Sequence, residues 1–220
     1  MEKPVTHVEV EPGRWLDARR AIWLEATRSL VVADLHWGYA ASHRAAGNLL
    51  PVWGDDELAM VLDGLVRDYA PAEMIWLGDV IHAAAGRVRA EAYLRGCPVP
   101  VQVVRGNHDR AWRHGETHRE LRRLNLVLHH GDQVAALAPH ELEVVGHHHP
   151  AVVLGDGAGG SVRLPALVTG PRRWILPALS PWAAGAPWNG RIGPDEVLWA
   201  IAPRRVFVVP RGGRRARSPS

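Results

Sequence analysis

The sequence predicts an α/β domain built on parallel strands whose carboxyl-terminal ends carry metal-binding side chains. Two observations carry this expectation. Short apolar runs rich in β-branched residues recur at residues 30–33, 74–77, 101–104, 126–128 and 142–145, and runs of this kind form strands buried on both faces. Close behind them stand Asp34-Leu35-His36, Gly78-Asp79-Val80-Ile81-His82, Gly106-Asn107-His108-Asp109, His130-Gly131-Asp132 and Gly146-His147-His148-His149. A single short His/Asp motif arises often by chance. Five in succession, each following an apolar run, do not.

The elements follow in chain order. Residues 18–24, with a turn near residues 25–28, hairpin onto the run at residues 30–33. A helix follows, capped by Asp55 or Asp56, with Leu58, Val61, Leu62, Leu65, Val66 and Tyr69 at helical spacing and Pro71 where it should stop. Residues 87–95, ending at Gly96, and residues 116–124 are shorter candidate helices. Strand, loop, helix, strand implies right-handed crossovers between parallel neighbours. Their carboxyl ends then share one edge of the sheet, where open α/β sheets bind ligands. Beyond residue 150, residues 151–154 and 162–168 form a hairpin across a glycine-rich turn. Residues 173–176, 197–201 and 205–209 add strands.

Composition narrows the class. A chain of 220 residues with 47% hydrophobic content suffices for one well-buried domain, assigned to residues 1–203. The single cysteine, Cys97, excludes an internal disulfide and thiolate zinc motifs. Residues 1–15 hold no apolar stretch that could serve as a signal peptide, and no window approaches the roughly 20 apolar residues of a membrane span. The expectation is a cytoplasmic protein with no membrane partner. Formal charge is +3, but residues 204–220 hold six arginines and no acid, and removing those six charges leaves −3. The basicity therefore belongs to the chain end. That end is expected to be disordered rather than a DNA-binding arm.

The ligand types are carboxylates, imidazoles and one amide oxygen, which suit borderline divalent cations. A pair of such ions polarises a phosphoryl group and generates hydroxide at neutral pH, so a hydrolytic enzyme is expected. These five motifs resemble the pattern of the calcineurin-like metallophosphoesterases, DxH, GDxxH or GDxxD, GNHD or GNHE, a lone His, and GHxH, with every piece present. The resemblance implies a four-layer α/β/β/α sandwich of two mixed sheets flanked by helices. It implies that Asp34, His36 and His149 hold one ion, that Asn107, His130 and His147 hold the other, and that Asp79 bridges them. His108 would contact the scissile phosphate and protonate the leaving oxygen, with Asp109 orienting its ring. His82 and Arg110 would face the substrate or support the ligands.

Residue chemistry agrees with those roles. Following Gly78 at a strand end, Asp79 can sit in a tight turn and bridge two ions. Asp34 and His36 stand two apart, so both side chains can point to one side of an extended segment. The same spacing pairs His147 with His149 and turns His148 away to an exposed position. Asn107 is a neutral ligand, leaving His108 free for proton transfer.

A narrower resemblance, over residues 18–201, is to the bacterial DNA-ligase-associated metallophosphoesterases. It rests on residues 33–38, 44–47, 77–82, 106–110 and 176–181. It implies manganese-dependent phosphodiesterase or endonuclease activity on nucleic acid, linked to DNA repair through ligase, helicase and exonuclease partners. The sequence departs from that family at Tyr39, where a lysine usually stands, and across residues 182–193. Of the metals, Mn²⁺ is expected first, with Fe or Zn also compatible with the ligands.

Each singled-out residue has an ordinary alternative. Of the 13 histidines, His7, His43, His114, His118, His129 and His140 are assigned to surface or hydrogen-bonded roles. Trp37, Trp53 and Trp112 could line a base-binding wall, but packing at the core rim is the preferred role. Among functions, a phosphodiesterase or nuclease is preferred to a phosphomonoesterase or nucleotide pyrophosphohydrolase. A non-catalytic binding module is disfavoured by the intact ligands and His108.

Overall fold

The computed structural model describes residues 6–210. Its first sheet follows chain order: β1 (His7–Glu11), β2 (Arg14–Asp17), β3 (Ala21–Leu24), β4 (Ser29–Ala33), β5 (Glu73–Leu77) and β6 (Val101–Val104). β1 to β4 form an antiparallel meander, while β4, β5 and β6 run parallel. Helix α1 (Tyr39–Ala45) and helix α2 (Gly54–Tyr69) lie between β4 and β5, and α3 (Arg87–Gly96) between β5 and β6.

The second sheet contains β7 (Glu120–Arg123), β8 (Leu126–His129), β9 (Leu142–Val145), β10 (Pro150–Gly155), β11 (Ser161–Thr169), β12 (Arg173–Ile175), β13 (Ala186–Pro187), β14 (Val197–Ala202) and β15 (Arg205–Val208). Its order is β13-β10-β11-β12-β9-β8-β7, with β14 added on β11 and β15 on β14. Parallel pairing of β8 with β9 and of β9 with β12 makes it mixed, like the first.

Strand periodicity divides the core. Val31, Ala33, Ile75 and Leu77 face inward onto Leu126, Leu128, Val144, Leu167 and Trp174 of the second sheet. Their neighbours Leu30, Val32, Met74 and Trp76 face outward onto Leu58, Leu62 and Leu65 of α2. The outer face of the second sheet has no helical cover among the described residues. Val145, Val152, Val168 and Leu198 pack there with Trp188, Ile192 and Phe207. Residues 176–194 carry too many prolines and glycines for a helix. The two mixed sheets hold as expected and helices flank the first, but loop and strand side chains stand where the expected helical layer on the second would be.

Three expectations need correction. Residues 116–124 are not helical, because residues 120–123 pair antiparallel with β8 and the chain reverses at Leu124, whose φ is 56°. Asp55 and Asp56 do not cap α2, whose N-cap is Trp53. Instead the Asp55 carboxylate accepts the Gly38 N–H at 3.0 Å, tying the helix start to the loop after β4. The domain also runs past residue 203, since β15 pairs with β14 and buries Val206. Residues 211–220, the bulk of the expected disordered end, lie outside the described residues. No helix among the described residues is long and apolar enough to cross a membrane.

β2 is fastened to α2 by a buried acid. Asp17 accepts from the Arg19 amide at 2.7 Å, from Arg19 Nη2 at 2.8 Å and from the Tyr69 hydroxyl at 2.8 Å. Burial pushes its carboxyl upward, but these donors outweigh burial and hold it below the ordinary carboxylate value. A lowered folded-state pKa gives stability that is present above the unfolded value of about 3.9 and lost as pH falls through the folded one. Asp17→Asn is expected to cost about 2 kcal/mol at pH 7. The cost should shrink at pH 3, as urea titrations at both pH values will measure. Equal costs at both would remove the charge from the explanation.

Candidate metal centre and active site

The carboxyl ends of β4, β5 and β6 meet those of β8 and β9, and the five motifs sit where they meet. Backbone pairing continues past the strands: His36 N–H donates to the Asp79 carbonyl at 2.8 Å, and Gly146 N–H to the His130 carbonyl at 3.0 Å. The segment after β12 clamps the two sheets. Leu176 N–H donates to Val145 O at 2.7 Å, and Leu179 N–H to Ala33 O at 2.8 Å.

Backbone conformation, rather than strand alternation, aims the ligands. Asp34, His36, Asp79, His147 and His149 all have positive φ, between 43° and 62°. Such residues cost about 1–3 kcal/mol each and persist only where the surroundings enforce them. The extended-segment argument is therefore corrected, although the convergence it predicted occurs. His148 is also corrected: it is half-buried, with Nε2 accepting from Arg173 Nη2 at 2.9 Å.

Three donor groups result, each with its ligand atoms within 4.8 Å of one another: Asp34, His36 and His149; Asp79, His130 and His147; and His36, His82 and His108. Asp79 spans the first two. Its Oδ2 lies 3.9 Å from His36 Nε2, and its Oδ1 lies 3.4 Å from His130 Nε2. Around His130 Nε2 also stand Asn107 Oδ1 at 3.0 Å and His147 Nδ1 at 3.1 Å. The other His130 nitrogen faces the Leu77 carbonyl at 3.4 Å, which places the proton on Nδ1 and leaves Nε2 to bind.

These residues fit divalent cations. Asp34 and Asp79 are buried carboxylates, and His36 Nδ1 and His149 Nε2 are buried without a hydrogen-bond partner. Buried charges and orphaned donors of this kind are costly unless paired or coordinated. Burial disfavours charge on both Asp79 and His130, yet their mutual attraction overcomes it, holding Asp79 at about 2 and raising His130 to about 9 with help from Asp34. For His36 burial prevails and takes the imidazole down to about 3, leaving it neutral and able to ligate.

His108 stands apart from the two ligand groups that share Asp79. Its ring is exposed, and Nδ1 lies 3.1 Å from the His82 carbonyl oxygen. A carbonyl can only accept, so Nδ1 carries a proton and Nε2 is the free nitrogen. Asp109 does not orient this ring, contrary to expectation. Its buried carboxylate accepts the Gly106 N–H at 2.8 Å and the Ile81 N–H at 3.1 Å, and so shapes the turn. Burial raises that carboxyl to about 6, against the pull of those amides.

An open cavity of about 340 Å³ exposes His36, Asp79, Asn107, His108, His147 and His149. Its remaining wall includes His82 and two aromatic residues outside the ligand set, Tyr39 and Trp182. Tyr39 follows the first motif almost directly, so its position was a usable signal. Trp182 arrives from the loop after β12, with its ring 6.3 Å from that of Tyr39 and nearly parallel. Trp37 and Trp112 are buried, as packing predicts, whereas Trp53 is exposed against Trp182. Arg110 lies outside this cavity, in an adjoining groove that also reaches Asn107.

Close packing constrains the motif glycines. A Cβ on Gly106 would lie 2.2 Å from Asp79 Oδ1 and 2.3 Å from the Asp79 amide nitrogen. Gly106→Ala is expected to displace Asp79 and weaken metal affinity by about 10–100-fold. Metal titration of the stripped protein checks this, and an unchanged affinity would refute the contact.

Two mixed sheets with these Asp, His and Asn side chains at their abutting strand ends define a metal-dependent phosphoesterase. The family model for calcineurin-like phosphoesterases matches residues 27–137, half of the chain, and the protein belongs to that family. Among solved structures it is similar to nuclease MPE of Pseudomonas putida, with 28% identity, 92% of this chain and 98% of that chain covered, and a TM-score of 0.68. YfcE, a phosphoesterase from E. coli, matches at 19% identity over 78% of this chain and 86% of its own, with a TM-score of 0.40. No curated protein sequence matches the chain.

Proposed function

We propose that the protein is a dinuclear phosphodiesterase of the nuclease kind. The observation that carries this is Asp79, whose two carboxylate oxygens face separate donor groups, toward His36 and toward His130. In this reading Asp34, His36 and His149 hold one ion, Asn107, His130 and His147 the other, and Asp79 is shared. Nitrogen and oxygen donors without thiolate favour Mn²⁺, with Fe or Zn as alternatives. When bound, the ions neutralise charge on the phosphoryl oxygens and make water acidic enough to supply hydroxide at neutral pH.

The chain's own residues do the rest. The His108 amide holds Asp79 Oδ1 at 2.9 Å, so the loop carrying the acid also fixes the shared ligand. With Nδ1 engaged by the His82 carbonyl, His108 Nε2 is the atom that can deliver a proton to the departing ester oxygen. Among the described residues no cap domain covers the cavity, which leaves room for both arms of a diester. Similarity to nuclease MPE over nearly the whole chain supports a nucleic-acid substrate. The link to DNA repair, with ligase, helicase and exonuclease partners, rests on the family resemblance.

Protein stripped of metal and reloaded with Mn²⁺ is expected to hydrolyse bis-p-nitrophenyl phosphate faster than p-nitrophenyl phosphate. The reverse preference would replace this proposal with a small-molecule phosphomonoesterase.

A further inference from the structure

The motif loop Gly106–Asp109 is flanked in sequence by Arg105 and Arg110, and the fold brings a third arginine to the same place. Arg105 N–H donates to the His118 carbonyl at 2.9 Å and His118 N–H to the Val103 carbonyl at 2.8 Å, which sets Arg119 beside Arg105. All three arginines are exposed and line one groove of about 460 Å³ that ends on Asn107. Asn107 also lines the metal cavity, so the groove leads directly out of the site.

None of the three is engaged by an acid among the described residues. Arg105 reaches only the Asp109 carbonyl at 3.3 Å, and Arg119 only the Gln133 amide oxygen at 2.8 Å. The next arginines along the chain differ: Arg122 pairs with Glu120 and Glu141, and Arg123 with Glu73. Asp132 is the single acid lining the groove, which therefore stays positive. Its inner wall holds His129, already committed to Glu143 at 2.9 Å. Guanidiniums left free around an open trough suit bidentate contacts to phosphate oxygens.

We infer that the Arg105–Arg110–Arg119 groove binds the phosphodiester backbone flanking the scissile bond, so that the substrate is a nucleic-acid strand extending past Asn107. This rests on the diesterase proposal for the adjoining site. It adds that recognition on this side is chiefly electrostatic, because three arginines dominate the lining of the groove.

The test is binding of a fluorescein-labelled single-stranded oligonucleotide to the metal-free full chain across a salt series. Arg105→Ala/Arg110→Ala/Arg119→Ala is expected to weaken binding at least about tenfold at low salt. It should lower the slope of log affinity against log salt by about 2. The matching triple Lys variant should keep most of the slope, and the arginines of residues 204–220 are common to all proteins compared. With Mn²⁺ present, the triple Ala variant should lose oligonucleotide kcat/KM through KM, relative to bis-p-nitrophenyl phosphate. Unchanged affinity and slope in the triple Ala variant would overturn the inference. Salt-dependent binding that needs the three arginines, in a wild-type protein that cleaves no oligonucleotide, would uphold the groove and sink the nuclease proposal instead.

Discussion

Asp79→Ala is expected to remove bound metal and turnover together. Asp79 turns its two carboxylate oxygens to different donor groups: Oδ2 toward His36 at 3.9 Å, and Oδ1 toward His130 at 3.4 Å. It also accepts the His108 amide at 2.9 Å, so its loss frees the loop that carries the proposed acid. Removing a single preorganised transition-state donor commonly costs about 10²–10³ in rate. A ligand shared by two ions should cost at least about 10³. Elemental analysis of the purified variant, beside kcat/KM on a diester, makes the measurement. Retention of one full metal equivalent with wild-type affinity would assign Asp79 to one ion and end the bridging proposal.

His108→Ala should behave in the opposite way with respect to metal. Its ring is exposed, and its hydrogen-bond partner is the His82 carbonyl rather than a carboxylate. Loss of a general acid lowers turnover by about 10²–10⁴. Metal content should stay near that of the wild type, and KM should change little. An alternative is built into the same geometry, since His36, His82 and His108 also form a group that could hold an ion. A His108→Ala protein that loses a metal equivalent would favour that arrangement and remove His108 from the role of acid.

These expectations draw on sequence and structure in different proportions. Buried parallel strands are legible because both their faces are apolar, so β4, β5, β6, β8 and β9 stand out as continuous runs. Helix α2 is legible through Leu58, Leu62 and Leu65, which are buried as their spacing requires. β1 and β2 lie outside the elements predicted from sequence. Val8 and Val10 do alternate with Glu9 and Glu11, a weak signal that the antiparallel meander turns into strands. Residues 116–124 show the converse, where local composition allows a helix and pairing with β8 imposes a strand. Tertiary hydrogen bonding overrides propensity there.

For the site, the sequence by itself determined which atoms are available. The Asp, His and Asn donors follow apolar runs, and five such motifs in succession point to strand ends that carry ligands. It also determined the class of chemistry, since those donors without thiolate suit divalent metals and phosphoryl transfer. Only the tertiary structure decided how the donors are aimed. Left-handed backbone at Asp34, His36, Asp79, His147 and His149 aims each side chain, and local sequence does not encode it. Those conformations are unfavourable alone and exist because the two sheets and their shared hydrogen bonds hold them. The structure likewise turned Asp109 from ring partner to turn support, brought Trp182 to Tyr39, and set Arg119 beside Arg105. Each of these joins residues far apart in the chain or places a backbone group, and neither leaves a periodic trace in the sequence.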